Sequence, residues 1–149
     1  AMSRLNRLNA NTGGESATVL RKELQQVMQN YFGVFRRGDF MLEGIEKLKG
    51  LRERIANVTF EDKSNTFNTA RIEALELQNL LEVAEATAIP AEVRTETRGA
   101  HARDDYQVRD DENWLCHSLY FPADQSVTKR GVNFEPVTVD TFEPMARTY

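Results

Sequence analysis

The sequence holds one cysteine, Cys116, among 149 residues. No disulfide can form within the chain, and the usage suits a reducing compartment. No apolar run approaches the ~20 residues that a membrane-spanning helix needs. Positive charge is not in excess: the net charge of -4 gives no reason to expect nucleic acid, which favours a basic face. The N-terminal stretch AMSRLNRLN has no apolar core of a secretory signal. Familiar catalytic signatures are missing too, with no GxGxxG, Walker loop, GxSxG or HExxH. Only two histidines occur, His101 and His117. Cys116 and His117 adjoin each other on a predicted strand, where neighbours point to opposite faces, so they do not readily share a zinc ion. Nothing in the sequence supplies a helix N-terminus or a cationic pocket to activate Cys116, which reads as a half-buried structural residue.

With 40% hydrophobic and 28% charged residues, the chain reads as a single globular domain. Ala1-Met2 resembles a tag remnant followed by an introduced start. The abrupt opening at Ser3 suggests an excised piece, with a natural ragged N-terminus as the alternative. Residues 3–11 are polar and Gly13-Gly14 is a breaker. Ser16 is a good N-cap for a first helix whose Leu20, Leu24, Val27, Met28, Tyr31 and Phe35 share one face. Arg37-Gly38 should end it. Asp39 can cap a second helix with the stripe Met41, Ile45, Leu48, Leu51 and Ile55, while Lys47, Lys49, Arg52, Glu53 and Arg54 should be solvated. A third helix carries Phe67, Ala70, Ala74, Leu77, Leu81, Ala84 and Ala88. Ile72, Leu75 and Leu80 add a second stripe, so two covered sides are expected, and Pro90 should stop the helix.

The expected fold class is therefore mainly α: an antiparallel three-helix bundle over 3–90. A charged loop, a short β-hairpin and an extended C-terminal tail over 91–149 pack on it to make one domain. Trp114 to Phe121 alternates like a strand, Pro122 to Ser126 offers a turn, and Val127 to Phe134 can return. The loop concentrates Arg94, Glu96, Arg98, Gly99, His101 and Arg103. Guanidinium groups pair with carboxylates through two parallel hydrogen bonds, and Gly99 permits a backbone that other residues avoid. Two readings stay open: a solvated loop held by its own ion pairs, or a loop that docks on a neighbouring domain through desolvated pairs.

The segments Arg94-Thr-Glu-Thr-Arg-Gly-Ala-His-Ala-Arg-Asp-Asp-Tyr106 and Arg109-Asp-Asp-Glu-Asn-Trp-Leu-Cys-His-Ser-Leu-Tyr120 resemble the C-terminal signature of succinate dehydrogenase flavoproteins. Fumarate reductase flavoproteins share much of it, and L-aspartate oxidases share the first part. Gln29-Asn-Tyr-Phe-Gly-Val-Phe-Arg-Arg-Gly-Asp39, Phe67-Asn-Thr-Ala-Arg-Ile-Glu73 and the ending Ala146-Arg-Thr-Tyr149 agree with the same family. The resemblance implies a parent with a Rossmann-type FAD domain, a mobile capping domain and this helical domain last. Such a parent oxidises succinate to fumarate, passing a hydride to FAD and electrons to an iron–sulfur subunit and quinone. It implies a peripheral position on the cytoplasmic face of a bacterial inner membrane, as part of a complex. The family's flavin-binding glycines, flavin-linked histidine, proton-shuttling arginine and dicarboxylate clamp belong to upstream motifs that residues 1–149 do not carry. No catalytic, cofactor-binding or metal residue is therefore assigned, and nothing makes His101 the flavin-linked histidine. Arg94, Glu96, Arg98, Gly99, His101 and Arg103 remain the candidates for inter-domain docking, on the FAD domain or the iron–sulfur subunit. The alternatives are the same domain of a fumarate reductase, or a freestanding helical adaptor. The sequence upstream of Ser3 would separate a flavoprotein domain from an adaptor, while dehydrogenase and reductase differ in the parent's quinone and expression.

Overall fold

In the computed structural model, which describes residues 2–145, the expected first helix, α2 (Ala17–Phe32), starts at the Ser16 cap. The Ser16 hydroxyl accepts the Val19 amide at 3.5 Å. Leu20, Leu24 and Val27 are buried, and Met28 and Tyr31 pack at the edge of the same core. The helix stops at Gly33, before the predicted end. Phe35 therefore leaves the apolar face and stands 78% exposed on β1 (Phe35–Arg36).

Helix α3 (Gly38–Ala56) buries Met41, Leu48, Leu51 and Ile55 as the spacing predicts. Asp39 is not its cap. Asp39 pairs with Arg37, while the Gly38 amide donates to the carboxylate of Asp105 at 2.9 Å. The close crossing of α2 and α3 needs Gly44, since a Cβ there would lie 2.6 Å from Tyr31 Cβ and the Phe32 ring. Four of the residues expected in water form ion pairs while staying partly exposed: Lys47 and Lys49 pair along α3 with Glu43 and Glu46, and Arg52 and Arg54 reach beyond it. Arg52 forks onto Glu85, which is buried against the core. Arg54 bridges Glu15 and Glu23 at 2.7 Å.

Helix α4 (Thr69–Val93) starts at Asn68, whose side chain accepts the Arg71 amide at 2.8 Å. Phe67 precedes it with φ 51 and is 97% exposed, so it does not belong to the stripe. Ala74, Leu77, Leu81, Ala84 and Ala88 do. The second stripe is uncovered: Ile72 and Leu80 face water, and only Leu75 packs on the core. Pro90 does not stop the helix. Proline removes one intrahelical donor, yet the helix runs to Val93 because Arg103 takes its last carbonyls.

The polar stretch 3–11, to which the sequence assigns no element, lies largely in a helix, α1 (Met2–Ala10). Leu8 enters the core, and Leu5, one helical step before it, is half-buried. Arg4 fixes the helix by donating to Gln78, to Asn79 at 2.9 Å and to the Leu75 carbonyl at 2.6 Å on α4. Beyond α4 come β2 (Ala102–Arg103), the one-turn helix α5 (Asp111–Trp114), and a hairpin of β3 (Cys116–Phe121) and β4 (Ser126–Gly131). β1 and β2 pair in parallel, Phe35 opposite Ala102. β3 and β4 pair antiparallel from Cys116↔Gly131 to Phe121↔Ser126. Trp114 is therefore not the first strand residue. It is buried in α5, where Asp110 accepts the Asn113 amide at 3.0 Å. The tail to Met145 has no regular structure; Arg109 holds it by donating to the Met145 carbonyl at 2.8 Å. The resembling end Ala146–Tyr149, like Ala1, lies outside the described residues. Among the described residues no helix is long and apolar enough to cross a membrane.

Candidate functional site

The C-terminus of α4 carries unpaired carbonyls and the negative end of the helix dipole, and both favour a cation. Arg103 supplies it from β2. Its Nη1 donates to the carbonyls of Ala91 (3.2 Å), Glu92 (2.8 Å) and Arg94 (3.3 Å). Its Nε and Nη2 fork onto Asp105 at 2.7 and 2.8 Å. Asp105 then receives the Gly38 amide at the positive end of α3. One ion pair thus joins the C-terminus of one helix to the N-terminus of the other, each charge at the end that favours it. Arg103 is buried, and its bonds hold the Asp105 carboxyl well below the usual carboxylate range.

A second knot lies beside it. Glu96 has no exposed surface. Its carboxylate accepts Arg98 Nε and Nη2 at 2.8 and 3.0 Å, the Asp110 amide at 2.9 Å, and Arg94 Nη1. Burial pushes the carboxyl up, but Arg98, the Asp110 amide and Arg94 outweigh it and hold it below its ordinary value. Arg98 continues to Asp111 at 2.6 Å, and Arg109 reaches the same carboxylate at 2.8 Å. Arg94 also donates to the carbonyls of Trp114 (2.9 Å) and Cys116 (2.5 Å), so the knot fixes the root of the hairpin. The Arg94 guanidinium and the Lys129 ammonium both stack on the Trp114 ring, 5.1 and 3.6 Å from its centroid.

His101 joins the two knots. Its Nδ1 lies 2.9 Å from Arg36 Nη1 and its Nε2 3.0 Å from the Arg94 carbonyl. A guanidinium can only donate, so Nδ1 accepts, Nε2 carries the proton, and the ring is neutral. Burial first, then the charges of Arg36, Arg103 and Arg94, push its pKa down against the opposing effect of the Arg94 carbonyl. Gly99 sits at the tip of the turn that sets the ring, with φ 59. There Arg98 and His101 exchange backbone bonds of 2.9 and 3.0 Å, a tight turn that needs a left-handed residue.

The structure thus brings Arg94, Glu96, Arg98, His101 and Arg103 into one network with Gly99 at its turn. Their strong donors meet acceptors of this same chain. Arg36 and Asp105 complete it and were missed. Arg36 was hidden inside an overextended first helix, but Asp105, two residues beyond Arg103, was a local signal for a forked pair. With both ring nitrogens engaged, His101 has no lone pair free for a ligand's proton.

A flavin dinucleotide takes its pyrophosphate at an open glycine turn at a helix N-terminus, and the glycines at the starts of α2 and α3 do not leave one. Gly13-Gly14 precedes α2, but a Cβ at Gly14 would lie 2.1 Å from the Asn57 carbonyl, so the turn is closed by protein. The Gly38 amide of α3 is taken by Asp105. A cleft of about 470 Å³ between α2 and α4 is lined by Leu24, Met28, Phe32, Leu80 and Val83 with Gln25 and Gln29, and offers a diphosphate no cation. Among the described residues no three His, Cys, Asp or Glu side chains are grouped to hold a metal ion.

Residues 21–149 match the family described as fumarate reductase flavoprotein C-term. The chain is 48% identical over 147 residues to a succinate dehydrogenase flavoprotein subunit of Coxiella burnetii, covering 99% of this chain and 25% of the relative. It is 34% identical over 148 residues to a fumarate reductase flavoprotein subunit of Haemophilus influenzae, covering 99% and 24%. An E. coli quinol fumarate reductase structure superposes with a TM-score of 0.82 at 34% identity, over 95% of this chain and 25% of that one. The chain spans about a quarter of the length of these relatives.

Proposed function

The chain belongs to the family of fumarate reductase flavoprotein C-terminal regions, and from that membership we propose that it is the helical C-terminal domain of a succinate dehydrogenase flavoprotein subunit. Residues 3–90 form its bundle, and 91–149 its loop, hairpin and tail. The parent oxidises succinate to fumarate through FAD held by its upstream part, and passes electrons to an iron–sulfur subunit and quinone. It sits peripherally on the cytoplasmic face of a bacterial inner membrane. This domain performs no chemistry itself; it shapes and braces one side of the subunit. The supporting observation is the 48% identity to a succinate dehydrogenase subunit over 147 residues, 99% of this chain.

The test compares two proteins. The full-length subunit should be yellow and should reduce a dye with succinate as donor. Residues 1–149 should be colourless and inactive, and flavin co-eluting with them would overturn the reading. A fumarate reductase parent is the second reading, supported by the fold likeness to the E. coli enzyme. Rates of succinate oxidation with quinone and fumarate reduction with quinol, measured on the assembled complex, decide between them.

A further inference from the structure

The network spends much of its strength on one short piece of chain. Adjacent strand residues point to opposite sides. On β1 the inward side belongs to Arg36, which donates to the Gly33 carbonyl (3.1 Å), the Phe32 carbonyl (3.3 Å) and His101 (2.9 Å). The Arg36 carbonyl accepts the Asp104 amide at 2.8 Å. Phe35 is thereby turned outward. Val34 beside it is 70% exposed. Phe40, on the first turn of α3, is half exposed with the Arg37 guanidinium 4.4 Å from its ring centroid. A lone exposed apolar residue needs no explanation. Three at one turn, two of them on a backbone pinned from the inside, form a surface whose ordering cost is already met before any partner arrives. The nearby charges are also neutralised: Arg37 by Asp39, and Arg103 by Asp105. The surface therefore offers shape and apolar area.

We propose that Val34, Phe35 and Phe40 form an apolar docking knob for the remainder of the parent polypeptide, a proposal that rests on the domain reading above. Two observations select this occupant. Only 25% of a relative's length is matched here, so most of the same polypeptide lies elsewhere. The knob is also small. A phenylalanine side chain buries at most about 150–250 Å², so these three residues fall short of the ~800 Å² per partner of a stable bimolecular interface. A covalently linked partner needs no such area, because the tether supplies an effective concentration in the millimolar range.

Hydroxyl-radical footprinting of Phe35 tests this on three samples: residues 1–149, the flavin-containing full-length subunit, and the assembled complex. Phe35 should be modified readily in the first and an order of magnitude more slowly in the second. Equal rates in both, with flavin retained, overturn the knob and leave the domain reading standing. Protection that appears only in the complex assigns the surface to another subunit, and protection that grows with the concentration of 1–149 assigns it to a second copy; either overturns the proposal. A full-length protein without flavin overturns the domain reading itself.

Discussion

Replacing Glu96 by Ala in residues 1–149 should unfold the loop's logic from its centre. The carboxylate has no exposed surface and holds two guanidinium groups and a backbone amide. Truncation removes the anion and leaves the Asp110 amide and the inner edges of two guanidinium groups facing the vacated, buried position. Arg94 keeps its bonds to the Trp114 and Cys116 carbonyls, and Arg98 keeps Asp111. The Asp110 amide keeps nothing in place of Glu96. Breaking a buried pair by removing one partner costs about 3–5 kcal/mol. For a chain of this size each kcal/mol moves the melting point by roughly 2–4 °C, so the midpoint should fall by roughly 6–20 °C. Arg98→Ala should cost less, about 1–3 kcal/mol, because Arg98 is partly exposed and Arg94 still serves the carboxylate. The two changes combined should cost less than their sum, since they share one bond pair. Calorimetry or circular dichroism against temperature measures all three variants. A midpoint for Glu96→Ala within about 2 °C of the parent, less than the ~1 kcal/mol that such a shift represents, refutes the bracing role. It would return the loop to the reading in which its arginines await a neighbouring domain.

Gly44→Ala should destabilise the fragment by about 1–3 kcal/mol, because the new methyl meets Tyr31 Cβ and α2 must back away; a urea midpoint checks it. Arg103→Met, which leaves Asp105 and three helix-end carbonyls without their cation, should cost about 3–5 kcal/mol and speed amide exchange over Ala91–Arg94, read by mass spectrometry. Acid should act in two stages. His101 has a depressed folded-state pKa, so its contribution is complete above its ordinary value near 6.5 and is lost as pH falls below it. Glu96 and Asp105, also depressed, contribute fully above their ordinary values of 4.5 and 3.8 and lose their share as pH falls further. Melting curves from pH 7 to 3 should show both stages, and His101→Gln, which can still donate and accept, should erase the first.

The long helices were legible because burial repeats along them: Leu20, Leu24 and Val27, or Leu48, Leu51 and Ile55, recur at helical spacing. What misled were residues whose fate depends on distant chain. Phe35 extends the α2 stripe on paper, yet Arg36 is drawn away by His101, 65 residues later. Pro90 reads as a stop, yet Arg103 supplies what the helix end lacks. In α1 the half-buried Leu5 and the buried Leu8 stand three residues apart, a helical step that was there to read but spans a single turn of an otherwise polar stretch. Of the candidate site, the residue list was legible from the crowding of Arg94, Glu96, Arg98, His101 and Arg103. Their partners were not, because forked donors announce that they will pair without saying with whom.

The link from Gly38 through Asp105 to Arg103 closes a loop of 67 residues. Contacts of such long separation form only after most of the chain has been gathered, since closure entropy must be met first. The helices can find one another through local stripes while this link is still open. In kinetic terms the link belongs to the late side of the barrier, where interactions slow unfolding and hardly alter folding. The pair that joins α3 to α4 therefore acts as a clasp on the lifetime of the folded domain: weakening it should steepen loss, not delay arrival, and a chevron for Arg103→Met should show the change on its unfolding arm.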